Sequence, residues 1–250
     1  MPTKFRLITI PVSHYVEKAR WALDYLEIPF QELAHMPPFH QGATKKYGGK
    51  TVPILVTDTV AIIDSTDILR YLDTLHPGKL YPAEPELQEL TTELETLFNL
   101  TLGVHTRRWG YSYIFTSELI YPRWTFGVPF WEKLLFPIVF PKAAPIVRKS
   151  FDITETSAAE SYREIEQVFD RVNRILADGR KYLLGNRFSA IDITFAALAA
   201  PILQPLEQQI APPSLESFPA QMQTDIRNCR STPAGELGLR LYREHRHRSS

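Results

Sequence analysis

The chain has 250 residues, of which 44% are hydrophobic and 22% are charged, a balance that excludes a largely disordered protein. Lysine plus arginine and aspartate plus glutamate number 28 each, so no overall charge attracts nucleic acid. A single cysteine, Cys229, excludes a disulfide framework. The longest uncharged run, 193–206, has 14 residues, fewer than the about 20 that a membrane span needs. We therefore expect a soluble, cytoplasmic protein.

The first third of the chain predicts alternating strands and helices. Residues 4–10 alternate in polarity as a half-buried strand does, and apolar residues share one face over 15–25, as in an amphipathic helix. The remaining elements of this part follow in chain order: strands at 30–35, 52–56 and 60–63, a polar loop at 41–50, and a helix that begins at Asp64 or Ser65 and ends near His76.

The remainder of the chain is helical in character. Helices are expected at 86–102, 156–176 and 189–203, and two shorter ones beyond Ser214. The predicted domains are 1–78 and 86–250, and the proline-containing segment 79–85 is the expected linker. The basic segment 240–248 is expected to be a solvated terminus.

The most informative stretch is Pro11–Leu23, in which Ser13 stands immediately before the first predicted helix. A strand that delivers a small hydroxyl residue to a helix start builds a site where backbone N–H groups and the helix dipole favour negative charge. The alternative is that Ser13 is only the N-cap of this helix, which is the commonest role of serine at such a place.

Two downstream segments accompany this motif: Val52-Pro53-Ile54-Leu55 and Ile62-Ile63-Asp64-Ser65-Thr66. Together the three resemble the glutathione-binding domain of the glutathione transferases. The resemblance implies an α/β N-terminal domain of the thioredoxin-like fold, followed by an all-α helical domain.

The resemblance also implies roles for individual residues. The Ser13 hydroxyl would contact the glutathione sulfur, with Tyr15 as the runner-up. The implied glutathione-binding residues are Lys50, Thr51, Val52, Pro53, Asp64 and Ser65, where a cis Pro53 exposes the Val52 backbone and Ser65 receives the γ-glutamyl carboxylate. The residues alone leave alternatives open, namely a trans edge-strand proline, an Asp-Ser helix cap and a solvated Lys50. Glutathione as a co-substrate, no metal, and a homodimer are implied as well.

Residues 13–16 occupy the place of the Cys-x-x-Cys of glutaredoxin-like relatives, and both cysteines are absent. Dithiol–disulfide exchange therefore cannot occur at this position. His14 is expected on the solvent-facing rim, uncoupled from Ser13, because consecutive residues at a helix start point apart.

The segment Asn186–Ile193 resembles the capping box and hydrophobic staple of the helical domain of glutathione transferases. Ser189 would cap the helix, the side chain of Asp192, three residues later, would bond back to the Ser189 backbone, and Phe188 would pack on Ile193. This is a folding element, and it extends the resemblance across most of the chain.

Residues 104–141 depart from the compact family pattern and form an expected insertion at about 104–150. They hold 11 of the 29 aromatic residues, interleaved with four prolines. Trp109, Tyr113 and Trp124 are the candidates for a second-substrate site. An enlarged core is the simplest alternative. Contact with a membrane is a lesser one, since the prolines are expected to prevent one long amphipathic helix.

The expected function is that of a glutathione transferase, in which a Ser13-stabilised thiolate attacks a small, apolar electrophile. One alternative is a non-catalytic ligand carrier or interaction protein that keeps the fold. Another is peroxidase, isomerase or dehalogenase chemistry, which uses the same thiolate on a different acceptor.

Overall fold

A four-stranded mixed sheet forms the centre of the first domain. The structure is a computed structural model that describes residues 5–115 and 118–246. The strands lie in the order β2-β1-β3-β4, with β1 parallel to β2 and antiparallel to β3. The elements of this domain are β1 (Phe5–Thr9), α1 (His14–Tyr25), β2 (Phe30–Ala34), α2 (His40–Lys45), β3 (Ile54–Val56), β4 (Ala61–Ile63) and α3 (Ser65–Leu75). This order confirms the predicted α/β domain; residue 4 of the first predicted strand lies outside the described residues.

Helices make up the rest of the described chain, as predicted. They are α4 (Pro85–Leu97), α5 (Gly103–Ile114), α6 (Ile120–Trp124), α7 (Phe130–Ser150), α8 (Glu155–Leu176), α9 (Ala190–Leu203), α10 (Ala220–Arg230) and α11 (Pro233–His245), with a π-helical turn at Phe98–Leu102 and a 3₁₀ turn at Leu215–Ser217. Among the described residues, no helix has the length and hydropathy needed to cross a membrane.

Helix α9 is the centre of the core and begins as the sequence predicts. The Ser189 hydroxyl accepts from the backbone N–H of Ile191, and Asp192 Oδ2 accepts from the backbone N–H of Ser189 at 2.9 Å. Thirteen of its fourteen residues are buried, because it packs against α1, α5 and α11. The predicted capping box is therefore confirmed.

Two segments contain more helix than the sequence predicts. Residues 41–50 were expected to be a loop, but 40–45 form α2, whose single buried residue is Thr44. The helix predicted to end at 102 continues through the π-helical turn into α5. Both errors have one cause: contacts with the sheet and with α8 and α9 stabilise segments whose local pattern is weak.

The insertion contains a 21-residue helix, α7, in spite of three internal prolines. Pro137, Pro141 and Pro145 are spaced four apart on its exposed side, while Phe136 and Ala144 are buried on the other. Packing on the buried side compensates for the lost hydrogen bonds of α7. The described residues of 104–141 do not form one long helix, as expected, because they divide among α5, α6 and α7. The buried residues of this region form a separate small core: Met36, Phe115, Ile120, Trp124, Val128, Phe136 and Ala144.

The described part of the C-terminal segment, through residue 246, packs against α1, contrary to the expected solvated tail. Arg246 is 6% exposed, and its guanidinium bonds to Glu17 and Asp24, each at 2.7 Å. Trp21 Nε1 donates to the His245 carbonyl at 3.0 Å. These contacts attach the end of the chain to α1, and they join residues too distant in sequence for a local pattern to reveal. Residues 247 and 248 lie outside the described part.

Candidate functional site

Ser13 is the N-cap of α1. Its backbone is extended, with φ −71° and ψ 119°, and its Oγ accepts from the backbone N–H of Val16 at 3.4 Å. A bond of that length is weak. Because the oxygen only accepts in this bond, the hydroxyl hydrogen can still donate to an anion at the start of the helix, where the dipole already favours negative charge.

The next two residues of α1 are held by the helical domain. His14 is 7% exposed, and its Nε2 lies 2.8 Å from the Gly103 carbonyl, so its expected place on the solvent-facing rim is wrong. Burial, helped by Arg107, lowers the pKa of His14 to about 3. The Tyr15 hydroxyl donates to the Asn99 carbonyl at 2.7 Å, and burial raises the pKa of this phenol.

The start of α3 carries the second part of the candidate site. Asp64, not Ser65, is the N-cap: it has φ +86°, and its Oδ1 accepts from the Thr66 N–H at 2.7 Å. Ser65 is 1% exposed, and its Oγ has no hydrogen-bond partner among the described residues. The peptide bond between Val52 and Pro53 is cis.

Lys18 is a buried cation that the sequence analysis missed. It lies fully buried in α1, and its Nζ donates to Thr66 Oγ1 at 2.8 Å and to Asn99 Oδ1 at 3.1 Å. Burial lowers the pKa of Lys18 to about 8, against the opposite influence of Glu95 and Asp64. Helical periodicity places Lys18 away from the main apolar stripe of α1. Its side chain is enclosed by α3 and by the π-helical turn between α4 and α5, which are distant in sequence.

A first cavity lies where α3 begins and is named here the α3 cavity. Its wall comes from α1, the segment before β3, the start of α3, and the helices α4 and α5 with the π-helical turn between them. Its lining residues are Tyr15, Thr51, Val52, Pro53, Asp64, Ser65, Thr66, Glu95, Thr96, Asn99, Leu100, Val104 and Arg107. The fold therefore brings together five of the six predicted glutathione-binding residues and the runner-up Tyr15. The sixth, Lys50, is exposed and does not line this cavity.

A second cavity, named here the α6 cavity, lies beside the start of α1. Its lining comes from the β1–α1 connection, α5, α6, the end of α9 and the segment after it. The residues are Pro11, Val12, Ser13, His14, Glu17, Arg20, Thr106, Arg107, Gly110, Tyr111, Ile114, Ile120, Arg123, Trp124, Ala200, Pro201, Gln204, Gln208, Gln209, Ile210 and Met222. Arg107 lines both cavities. The α6 cavity, which contains Ser13, and the α3 cavity, which contains Ser65, are therefore neighbours.

Of the three aromatic candidates for a second-substrate site, the structure brings only Trp124 to the α6 cavity. Trp109 Nε1 donates to Asp225 Oδ2 at 2.9 Å, and the Tyr113 hydroxyl donates to the same oxygen. Both therefore face α10 and line a separate surface depression. Their shared partner, 112 or more residues away, could not be identified from helical spacing.

The sequence analysis also missed two arginines of the α6 cavity. Arg107 and Arg123 each have a buried Nε without a hydrogen-bond partner among the described residues. A weak signal existed, because arginines alternate with aromatic residues in this segment, and Arg107 and Tyr111 share a helix face. Within residues 5–115 and 118–246, no group of acidic, histidine or cysteine side chains could hold a metal ion.

Comparison with known families identifies both domains. The family described as "Glutathione S-transferase, N-terminal domain" matches residues 7–80, and "Glutathione S-transferase, C-terminal domain" matches residues 155–215. A search of curated protein sequences finds no match.

Solved structures share the fold at low sequence identity. Glutathione transferase GSTFuA3 from Phanerochaete chrysosporium has a TM-score of 0.63 and 13% identity, with 96% of each chain covered. Beta-etherase LigF from Sphingobium sp. strain SYK-6 has a TM-score of 0.59 and 18% identity, covering 94% of this chain and 98% of that one. A theta class glutathione S-transferase from Xanthomonas axonopodis pv. citri, solved with glutathione bound, has a TM-score of 0.55 and 18% identity, covering 94% and 96%.

Proposed function

The chain belongs to the glutathione S-transferase family, and from that premise we propose that it is a glutathione transferase with a serine-type site. In this proposal glutathione lies in the α3 cavity, and its sulfur reaches Ser13 at the border of the α6 cavity. An electrophile in the α6 cavity accepts the thiolate.

The buried, unpartnered Ser65 hydroxyl supports the proposed glutathione site most directly. Ser65 Oγ lies at the start of α3, beside the cis Val52–Pro53 bond and in the same cavity. Buried hydroxyls normally have a partner, so an orphaned one in a cavity indicates a ligand. A carboxylate fits, because the N-terminus of a helix favours negative charge. We assign this place to the γ-glutamyl carboxylate.

Ser13 is a better thiolate donor than Tyr15. The Tyr15 hydroxyl already donates to the Asn99 carbonyl at 2.7 Å, whereas the Ser13 hydroxyl only accepts a long bond. To lower a thiol pKa by two units requires about 2.7 kcal/mol. A hydrogen bond to a charged group contributes about 1.5–3 kcal/mol and a helix N-terminus about 0.3–1 kcal/mol, so Ser13 at the cap of α1 is sufficient.

The reaction proceeds in two steps. The glutathione thiol first loses its proton to solvent, and the thiolate is stabilised by the Ser13 hydroxyl. Its sulfur then forms a bond to an electrophilic atom of the acceptor, and the leaving group departs with the electron pair of the bond that breaks. Cys229, the only cysteine, is buried and lies outside both cavities, so the chemistry uses no protein thiol there.

Ultraviolet absorbance of the glutathione thiolate tests this proposal. We expect a saturating thiolate signal when glutathione is titrated near pH 7, its loss in Ser13→Ala, and its retention in Tyr15→Phe. Calorimetry should show that Ser13→Ala still binds glutathione. An unchanged signal in Ser13→Ala, with loss in Tyr15→Phe, would transfer the role to the tyrosine.

The same titration separates catalysis from the carrier alternative. Binding of glutathione without ionisation in the wild-type protein would contradict the enzyme proposal and favour a non-catalytic carrier. A second copy of the chain remains the proposed partner, and sedimentation velocity with the full chain measures that directly.

A further inference from the structure

Two guanidinium groups of the α6 cavity have no anionic partner in the described part of the chain. Arg107 stacks on the Phe151 ring, with 4.1 Å between its Cζ and the ring centroid, and forms no ion pair with a described carboxylate. Arg123 also forms none, and burial lowers the pKa of Arg123. Both side chains are half-buried, and each has its Nε enclosed without a described partner, which is costly unless a ligand compensates for it.

The other charges that line this cavity are neutralised by the protein itself. Arg20 donates from Nε to Glu32 at 3.0 Å and from Nη2 to the Pro11 carbonyl at 3.2 Å. Glu17 Oε1 accepts from Arg246 at 2.7 Å. His14 stays neutral, since the pKa of its imidazole is about 3. Arg107 and Arg123 therefore give the cavity an excess of positive charge.

The two arginines line the same cavity as Tyr111. Burial raises the pKa of this phenol, and the charges of Arg107 and Arg123 act against that rise. Trp124 is 2% exposed, and its Nε1 is a further buried donor without a partner among the described residues. Three residues with an enclosed, unpartnered donor thus line a single cavity, together with Gln204 and Gln209, whose Oε1 acceptors are also buried without a described partner.

The rest of the wall combines apolar and uncharged polar side chains. The aliphatic and aromatic contributors are Val12, Ile114, Ile120, Trp124, Ile210 and Met222, and the polar ones include Ser13, Thr106, Gln204 and Gln209. Two guanidiniums without a described carboxylate favour an anionic group on the ligand, and the apolar side chains favour an apolar body. A planar carboxylate suits a guanidinium best, because it accepts two parallel N–H bonds.

We infer that the α6 cavity takes an anionic acceptor: an apolar, ring-sized electrophile that carries a carboxylate bound by Arg107 and Arg123. This inference rests on the proposed function, which places the glutathione sulfur next to Ser13 in the same cavity. It narrows the second substrate from any small apolar electrophile to an organic acid.

Arg123 distinguishes this inference from a role in glutathione binding. Arg107 lines both cavities and can reach a carboxylate of glutathione, but Arg123 lines only the α6 cavity. Arg123→Gln is therefore the decisive variant. The matched control is Arg163→Gln, because Arg163 is an exposed arginine of α8 that lines neither cavity.

The kinetic test compares 4-chloro-3-nitrobenzoate with its methyl ester. In both, the thiolate sulfur bonds to the ring carbon and chloride leaves with the electron pair, so only the charge of the acceptor differs. We expect Arg123→Gln to raise KM for the acid at least about tenfold, to change KM for the ester less than about twofold, and to leave the glutathione Kd unchanged. Equal losses for acid and ester, or none for either, would overturn the inference.

A binding test remains valid if the chain conjugates nothing. Calorimetry without glutathione compares 3-nitrobenzoate with the neutral 3-nitrobenzamide, using wild type, Arg123→Gln and Arg163→Gln. We expect the acid to bind wild type and Arg163→Gln equally and to weaken at least about tenfold in Arg123→Gln. Amide binding as tight as acid binding, or no acid binding at all, would overturn the anion site even if glutathione is ionised.

Discussion

The two cavities that meet at Arg107 differ in how far the protein satisfies the charges around them. Beside the α3 cavity, the buried cation Lys18 donates to Thr66 and Asn99, and apart from the shared Arg107 the Ser65 hydroxyl is the one buried group of its described lining without a partner. At the α6 cavity, Arg107, Arg123 and Trp124 each keep a buried donor without a partner in the described chain.

This difference indicates two kinds of binding. A site whose polar groups are already paired holds its shape, and one open hydroxyl gives a ligand a fixed point of attachment. A site that leaves several donors open relies on the ligand to neutralise them and discriminates strongly against ligands that cannot. On the proposed function, the first suits the constant substrate glutathione and the second sets the choice of acceptor.

The largest expected effect is on the pH dependence of stability and comes from His14. Because His14 is neutral, Arg107 and Arg123 are the cations of the α6 cavity that lack a described partner. The folded pKa of His14, about 3, lies below its ordinary 6.5, so the unfolded state binds more protons between these values. This group should leave the free energy of unfolding unchanged well above pH 6.5 and should lower it by about 2.3 kcal/mol from pH 6.5 to 4.5.

Urea unfolding of wild type and His14→Gln at these two pH values measures this. The glutamine amide can still donate to the Gly103 carbonyl, and protons taken up by other groups cancel in the difference between the two proteins. Equal pH dependence in the two proteins would show that His14 is charged, and the contrast between the cavities would then be lost.

The next effect tests the open hydroxyl of the α3 cavity. Ser65→Ala should weaken glutathione binding by about 10- to 100-fold, which corresponds to the loss of one hydrogen bond to a charged group, without loss of thermal stability. Thr91→Val is the control, because Thr91 also has a buried hydroxyl without a described partner but lies outside both cavities. Similar changes in the glutathione Kd for both variants, measured by calorimetry, would contradict the assignment.

The smallest expected effect is the change in the free energy of unfolding when an arginine without a described partner is replaced. Arg123→Met should raise the free energy of unfolding by about 1 kcal/mol in the absence of ligand, because it removes a desolvated cation with no partner. The exposed Arg163→Met should change it by less than about 0.5 kcal/mol. Chemical unfolding in ligand-free buffer gives both values, and a destabilised Arg123→Met would mean that the protein itself already satisfies the guanidinium.

Short-range signals accounted for most of the fold. Ser13 and the Ser189–Asp192 box cap helices through contacts between residues at most three apart, and alternation along β1 and β2 is also local. Such features depend on neighbouring residues, so a single sequence displays them. The residues predicted around the α3 cavity came instead from the resemblance to glutathione transferases, since their local patterns also fit a helix cap and an edge-strand proline.

The sequence by itself thus determined the helix caps and the order of an α/β region followed by helices, and the resemblance added the residues around α3. Only the tertiary structure decided which charged groups are enclosed and which have partners. Lys18 donates to Thr66 and Asn99, Glu17 pairs with Arg246, and the Nε of Arg123 is left without a described partner. The same holds for α7, which packing stabilises against its prolines. The physical reason is that the energy of a buried charge depends on all the groups around it, and the fold assembles those groups from residues up to 229 positions apart.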